Sequence, residues 1–450
     1  MLSRLVDVGG RALRVRRLGG TRAGEIRLTR FLRNEAVTIE EMLMEAEQRT
    51  SLRCQGRHVL AIQDTTVLRS EGGGGDYLHA MIGLDAEDGT ILGLIDAQFL
   101  SRQSGRKVAR RAKSIEAKES FRWLQAADQA ASVCAGAQRI TVVADRESDI
   151  FEAFALRPDG VDLLIRAAQD RCLMDASPED ASPGEGNPGD ASHGDANPGD
   201  DGLQDGRLLF AAIDKMAEAD RAELDLPAGP GRKRRTARLA LRYARVSMAR
   251  PAHGERTGLP DAVEVNVVDV REIDPPSDDA AVHWRLLTTH AVDNAADAWA
   301  VAALYRRRWA IEQVFRTLKT KGFDVEGLRI ADAEPRNKLV TAALIAALQI
   351  QQLVHARDGG PGPLRPCTDV LQPDDLPLIE ALCRKLQGKT ERQKNPHPKG
   401  SLAYVAWVCA RLGGWTGYYG KPGPIVMLEG WLEFQATKRA LALFSSVHDV

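Results

Sequence analysis

The stretch "YRRRWAIEQVFRTLKT", residues 305–320, places one carboxylate, Glu312, among four arginines and a lysine. At about 100° per residue, Tyr305, Arg308, Glu312 and Lys319 share one helix face. A separate apolar face is formed by Ile311, Val314, Phe315 and Leu318. The pattern therefore predicts a helix that is anchored on one side and presents a Tyr–Arg–Glu–Lys stripe on the other. A surface helix with ion pairs four residues apart is the alternative for this segment alone.

Length and composition describe an ordinary globular chain. Its 450 residues suffice for two or three domains. Apolar runs stay below the roughly 18 residues that span a bilayer, and the first residues lack the apolar region of a signal peptide. The six cysteines are scattered without a CxxC pair, which favours a reducing compartment over zinc ribbons or disulfides. We expect a cytoplasmic location.

The net charge of −1 conceals strongly basic segments. Segment 176–205 carries eight Asp or Glu and no Lys or Arg, so the rest of the chain has a net charge of +7. The positive charge is concentrated in segments 102–113, 232–238, 306–321 and 384–399. One such segment is usually a solvated face, but four together favour a polyanionic partner.

Residues 57–167 have the pattern of a mixed α/β sheet. "RHVLAIQDTT" (57–66) is a short apolar run that we expect to end as a strand at Asp64, and 80–100 is typical of a hairpin turning at Asp88-Gly89. A helix is predicted over 114–133. "RITVVADRESDIFEAFAL" (139–156) predicts a strand ending at Asp145 and then a helix, and 161–167 predicts another strand.

The rest of the chain changes character twice. Segment 176–205 contains acidic pentads with almost nothing to bury, which predicts a disordered surface loop; its ligand spacing does not support calcium binding. Residues 207–290 alternate like antiparallel strands. A long helical pattern then runs from about Asn294 to Gly322, and the last hundred residues are mostly helical.

Three carboxylates are candidates for a shared site. Asp64 and Asp145 each close a predicted strand, and oxygen ligands at neighbouring strand ends suit hard divalent cations. Glu312, on a helix with a cationic stripe, would complete a two-metal site for phosphoryl transfer. An aspartate at a strand end is more often a turn or helix cap, and spacing alone does not bring the three together.

These residues resemble a known family. Tyr305, Arg308, Glu312 and Lys319 fit Y-x2-R-x3-E-x6-K, the YREK signature of bacterial DDE transposases of the insertion-sequence four family. "DTT" (64–66) and "DRESDI" (145–150) are similar to the family's segments for its first two catalytic aspartates. Similar segments also occur in matching order at "RFLRNEAVT" (30–38), "KESFRWL" (118–124), "WRLLTT" (284–289) and "GSLAYVAWVCARLGGW" (400–415).

The resemblance implies an α/β, RNase H-like mixed-sheet core interrupted by a β-rich insertion. It divides the chain into a short helical N-terminal region (1–56), the first part of the core (57–169), the insertion with acidic loop 176–205 (170–283), the second part of the core with the Glu helix (284–345) and a helical, dimerising C-terminal region (346–450). It also implies cut-and-paste transposition by end nicking, hairpin formation and strand transfer, in a homodimer that binds transposon ends and target DNA.

The resemblance also assigns roles to individual residues. Asp64, Asp145 and Glu312 would be catalytic and hold two Mg²⁺ ions, which Mn²⁺ can replace. Tyr305, Arg308 and Lys319 would bind phosphates of the transposon end, and Trp284 would stack on a flipped base. A buried core tryptophan is the alternative for Trp284. Two further DNA-binding positions would be Arg122 and Arg166.

Two features depart from the family. Only 63 residues precede Asp64, so the helical region that often binds transposon ends is short, and the acidic tract 176–205 would repel DNA. Two alternatives to an active transposase therefore remain open. One is a catalytically inactive DNA-binding derivative, and the other is a stand-alone RNase H-like nuclease.

Overall fold

A nine-stranded sheet organises the computed structural model, which describes residues 13–71, 74–102, 115–116, 118–174, 208–227, 233–252, 258–277, 279–319, 322–359, 364–418 and 420–448. The strands are β1 (His58–Glu71), β2 (Gly74–Asp85), β3 (Ile91–Arg102), β4 (Arg139–Ala144), β5 (Val161–Arg166), β6 (Asp220–Leu226), β7 (Arg235–Ala249), β8 (Ala262–Glu272) and β9 (His283–Thr288).

The strand order is β3-β2-β1-β4-β5-β9-β8-β7-β6. Strands β1, β4 and β5 pair in parallel, and every other neighbouring pair is antiparallel. The α/β class and the antiparallel character of residues 207–290 are confirmed. Those later strands do not form a separate sheet, because β9 pairs with β5 and so continues the first five strands.

Twelve helices in the described residues surround the sheet. They are α1 (Val15–Gly19), α2 (Arg22–Leu32), α3 (Ile39–Cys54), α4 (Phe121–Val133), α5 (Phe151–Ala155), α6 (Leu209–Lys215), α7 (Ala295–Arg306), α8 (Trp309–Leu318), α9 (Ala333–Ala356), α10 (Leu376–Leu386), α11 (Leu402–Leu412) and α12 (Pro424–His448).

Successive side chains of the central strands point to opposite faces of the sheet, and both faces are buried. In β4, Val143 joins a core with α8, α9, α11 and α12, whereas its neighbours Val142 and Ala144 join a core with α4, α5 and α6. In β1, Leu60 and Ile62 face the first of these cores. The sheet is therefore covered by helices on both faces, with the C-terminal helices on the same side as α8.

Helix α9 is long and apolar enough to cross a membrane by length and composition. It is also the central helix of the larger core, with Leu339, Leu344 and Leu353 fully buried against neighbouring elements. Core helices of globular proteins pass the same test, so the apolar length of α9 is explained by its packing.

Three boundaries differ from those predicted. Strand β1 does not end at Asp64 but continues to Glu71, because pairing with β2 extends that far. Helix α4 begins at Phe121 rather than at residue 114. The long helix predicted from about Asn294 is two helices: Asn294 caps α7, the chain turns at Arg307–Arg308, and α8 ends at Leu318.

The hairpin turn and the strand before Asp145 are as predicted. Gly89 adopts a positive φ of 76°, and its N–H donates to the carbonyl of Asp85 to close the turn. Strand β4 ends at Ala144, directly before Asp145. The acidic tract 176–205 lies outside the described residues.

Gly322 closes the turn after α8. A Cβ atom there would lie 1.9 Å from the carbonyl oxygen of Thr317, and that carbonyl also accepts a 2.9 Å hydrogen bond from the N–H of Phe323. The turn brings Phe323, which is 1% exposed, back into the core beside α8. Glycine is thus required because the backbone of Thr317 lies too close for a side chain. A positive φ, which is the usual reason for glycine at the C′ position of a helix, is not the cause here.

We expect Gly322→Ala to lower the free energy of unfolding by roughly 1–3 kcal/mol, because the methyl group displaces the backbone that anchors α8. Urea denaturation measures the effect. Gly423→Ala is the matched control, since no atom lies within 4 Å of the position that its added methyl group would take. Equal stability of the two variants would contradict this role for Gly322.

Candidate active site

Asp64 and Asp145 lie at the same level on two adjacent strands. The parallel register of β1 and β4 aligns Ile62 with Val143. Asp64 comes two residues after Ile62, and Asp145 comes two residues after Val143. Because side chains repeat every second residue along a strand, both aspartates face the side of Ile62 and Val143, where α8 packs. The predicted proximity of the two strand positions is correct, although only β4 ends there.

Helix α8 brings Glu312 to the same place. Its buried face, formed by Ile311, Val314 and Leu318, packs in the larger core. The helix is fixed from behind by α9, where Gln351 donates to the carbonyl of Gln313 at 3.3 Å and to the hydroxyl of Thr317 at 2.7 Å. Helix α8 also packs against β1, and Glu312 lies in its first turn.

Arg308 connects the strand and the helix. Its Nη1 donates to Oδ2 of Asp64 at 3.0 Å, and its Nη2 donates to Oε1 of Glu312, four residues later. The Arg308 side chain is 15% exposed, so these contacts are only partly screened by solvent. Arg308 thus holds the carboxylate of Asp64, 244 residues away in sequence, together with that of Glu312 on its own helix.

The third carboxylate is close enough to act on the other two. Burial, followed by the charge of Asp145, raises the pKa of Asp64 to about 6, against the opposing effects of Arg308 and the Thr65 N–H. Burial also raises the pKa of Glu312, with Asp145 adding to the shift and Arg308 opposing it. The site therefore concentrates more negative charge than Arg308 alone compensates.

Tyr305, Arg166 and Trp284 join the carboxylates. Burial raises the pKa of Tyr305, whose surroundings include Arg308, Arg166 and Asp145. Arg166 hydrogen bonds to Tyr305 and donates to the carbonyl of His283 at 2.7 Å. The Trp284 ring lies 6.4 Å from that of Tyr305 in a tilted arrangement. The half-buried indole therefore borders the site and also packs on the core.

Lys319 and Arg122 are engaged elsewhere. Lys319 follows the end of α8 and pairs with Glu326 at 2.9 Å. Arg122 is 5% exposed and donates to Glu147 at 3.0 Å, with its guanidinium 4.9 Å from the ring of Trp123. The predicted DNA-binding roles of Lys319 and Arg122 stay predictions.

Trp309 is a candidate that the sequence analysis did not single out. It begins α8 directly after Arg308 and is 59% exposed, which is unusual for an indole. The sequence did carry a signal for this exposure, because Trp309 lies outside the apolar stripe of the helical wheel. An exposed aromatic ring beside a cationic cluster is a surface on which an unpaired base can stack.

The donor set suits a hard divalent cation. Asp64, Asp145 and Glu312 offer only oxygen ligands, and the raised pKa of Asp64 indicates that added positive charge would be favourable there. Within the described residues, no three side chains of metal-binding type are grouped closely enough to hold an ion as they stand. Asp64 and Glu312 instead share Arg308, so the residues fit a metal chemically once that contact is exchanged.

Comparison with known families gives a match over residues 201–348, to the model described as a transposase DDE domain. The matched segment includes Glu312, Arg308, Tyr305 and Trp284, and it begins after Asp64 and Asp145. The match supports a DDE transposase and, with it, DNA as substrate.

The raised pKa of Asp64 makes the free energy of unfolding depend on pH. Because its folded-state pKa is raised, its protonated form is favoured by folding, and this contribution is lost as the pH rises through about 6. In chelator, we expect Asp64→Asn to match the wild type near pH 4 and to become more stable by roughly 1–3 kcal/mol by pH 7.5. Urea denaturation across pH measures this, with exposed Asp159→Asn as control. A stability difference that does not change with pH would refute the assignment.

Proposed function

We propose that the protein is a DDE transposase of the insertion-sequence four type, which moves a DNA element by cut-and-paste transposition. The observation that carries the proposal is the meeting of Asp64, Asp145 and Glu312 beside Arg308 and Tyr305. The family match over residues 201–348 supports the same class of enzyme from a segment that contains only one of the three carboxylates.

The sheet supports an RNase H-like core for this enzyme. Three antiparallel strands, β3-β2-β1, are followed by the parallel strands β4 and β5, and the carboxylates lie on β1, after β4 and on a helix packed against them. The insertion would then comprise α6 and β6–β8, with β9 returning the chain to the core. We retain 57–169 and 284–345 as the two parts of that core.

Bound Mg²⁺ or Mn²⁺ would supply charge stabilisation at the attacking and leaving oxygens of the phosphodiester. Asp64, Asp145 and Glu312 would hold the ions. Arg308, released from the two carboxylates, would be placed to bind a non-bridging oxygen of the reacting phosphate, because its fork of N–H donors suits that geometry. The raised pKa of Asp64 means that the site competes for metal best when this group is ionised, above about pH 6.

The remaining residues would hold the DNA end. Arg166 and Tyr305 would position the backbone near the carboxylates, and Lys319 would exchange Glu326 for a phosphate. Trp284 would accept a flipped base during hairpin formation, with exposed Trp309 as a second stacking surface. Arg122 would act by orienting the part of β1 next to Asp64 through its contact with Thr65. We further propose a cytoplasmic homodimer that brings two ends together.

A catalytically inactive DNA-binding derivative is the second candidate. The observation that favours it is the Arg308 contact, which engages two of the three carboxylates. In that case Arg308 would be a permanent structural bridge, and metal would not displace it. The two candidates predict the same affinity for DNA and opposite results for cleavage.

The cleavage test uses a labelled duplex carrying the terminal repeat that flanks the coding region. With Mg²⁺ or Mn²⁺, we expect nicking at the end and then a hairpin product on a denaturing gel. Glu312→Gln should reduce cleavage by at least about 10³-fold, because a metal ligand is lost, while leaving DNA affinity within a fewfold of the wild type.

Glu45→Gln, an exposed glutamate of α3, serves as the matched control and should cleave normally. Wild-type binding without cleavage in either metal would select the inactive derivative. Cleavage of any duplex, without end preference or hairpin, would select a simple nuclease.

A second test separates the roles of Trp284. Base stacking contributes roughly 1–3 kcal/mol, so Trp284→Ala should slow hairpin formation about 10- to 100-fold while the first nick stays within a fewfold of the wild type. Fluorescence of 2-aminopurine near the end reports base flipping directly. Trp299→Ala removes another half-buried indole, on α7, and controls for lost packing. An equal loss of nicking and hairpin formation in Trp284→Ala alone would assign Trp284 to the core.

A further inference from the structure

The C-terminal basic loop, residues 384–399, lies outside the site described above. It comprises the end of α10 and the connection to α11, and it contains six Lys or Arg and one Glu. We propose that this loop is a second DNA-binding surface that contacts the phosphate backbone of duplex DNA without reading its sequence. The inference rests on the proposed function for its choice of partner.

Four cations of the loop are available to a partner. Arg384, Lys385, Lys389 and Arg392 are exposed, and none of them contacts a carboxylate in the described part of the chain. The loop's two other cations are paired: Lys394 with Glu391 and Lys399 with Glu380.

The basic residues of β7 provide the contrast. Arg235 pairs with Glu272 and Asp279, Arg238 with Asp274, and Arg245 with Glu264. Basic segment 232–238 is thus partly neutralised within the fold, which is the usual outcome for a charged strand face. Four of the six cations of the C-terminal loop are not used in this way.

The loop is anchored by backbone and side-chain contacts. The Gly388 N–H donates to the Gln393 carbonyl at 3.1 Å, and the Tyr418 hydroxyl lies 3.0 Å from that of Thr390. Gly417 approaches so closely that a Cβ atom there would lie 2.7 Å from the carbonyl oxygen of Arg392. A surface whose backbone is already ordered loses less conformational entropy when a ligand binds.

The partner is identified by its chemistry. Four unpaired cations on a fixed loop suit an extended row of phosphates, where each contact releases condensed counterions. Exposed Tyr418, 48% accessible beside the loop, adds a donor for phosphate oxygens. Among the described residues, none of the exposed large apolar side chains lies within 384–399, whereas an interface with another protein would favour such residues.

The loop is remote from the carboxylates. Helix α9 packs against both α8 and α11. It thus lies between the contacts of the helix that carries Glu312 and those of the helix that follows the loop. The duplex bound there is either a stretch several base pairs from the reacting phosphate or a second DNA molecule.

The test compares two quadruple variants by fluorescence anisotropy on 40-base-pair duplexes, in Glu312→Gln protein so that no DNA is cut. One variant replaces Arg384, Lys385, Lys389 and Arg392 by Gln. The matched control replaces Arg22, Arg221, Arg238 and Arg245, which are exposed and already paired with carboxylates. Each set removes four positive charges, so a general effect of net charge is the same in both.

We expect the loop variant to bind at least about tenfold more weakly at 100 mM salt, on duplexes with and without the terminal repeat. The slope of log affinity against log salt should fall by about 0.9 for each lost phosphate contact. The control should keep both slope and affinity close to the parent. Unchanged melting temperatures would verify that the variants fold. A second variant, Lys389→Glu with Arg392→Glu, changes only residues outside α10 and should also bind DNA more weakly.

Equal losses in the two quadruple variants would overturn the inference, as would a loss confined to the duplex with the terminal repeat. Either result leaves the proposed function intact, because that function depends on metal-dependent cleavage by the wild type. Absence of DNA binding by the parent protein would instead refute the proposed function itself.

Discussion

The contact of Arg308 with both Asp64 and Glu312 joins the two halves of the fold. Strand β1 and helix α8 are far apart in sequence, and each carries a partly buried carboxylate that would be unfavourable alone. The guanidinium satisfies both while the apolar face of α8 packs in the core. Because Asp145 stands beside them, the pKa of Asp64 still rises to about 6. The same charge imbalance that limits stability makes the site suitable for divalent cations.

Local patterns were sufficient to predict the elements that carry the site. The apolar stripe of residues 305–320 predicts which side of α8 is buried, and the turn at Gly89 and the end of β4 follow from residue type. Asp64 and Asp145 were predicted at neighbouring strand positions, which the register of β1 and β4 confirms. Their roles as metal ligands remain predictions, since proximity shows shared charge and not a bound ion.

Tertiary contacts determined what the sequence could not predict. Strand β1 extends beyond Asp64 because β2 supplies partners for six of the next seven residues, and no local signal marks that length. The turn at Arg307–Arg308 interrupts a continuous helical pattern, with Arg307 donating to the carbonyls of Asp85 and Glu87. The nine strands form one sheet only because β5 pairs with β9 over a short length. The alternation of apolar and polar residues along the strands does not predict this pairing.

The most direct measurement is an anomalous difference map from crystals of the protein with Mn²⁺ and a duplex end. The account predicts manganese peaks within about 2.0–2.5 Å of carboxylate oxygens from Asp64, Asp145 and Glu312, with Arg308 turned from the carboxylates to a phosphate. A map at saturating Mn²⁺ without peaks at these side chains, in which Arg308 still joins Asp64 and Glu312, would contradict the central claim that the three carboxylates form a metal site.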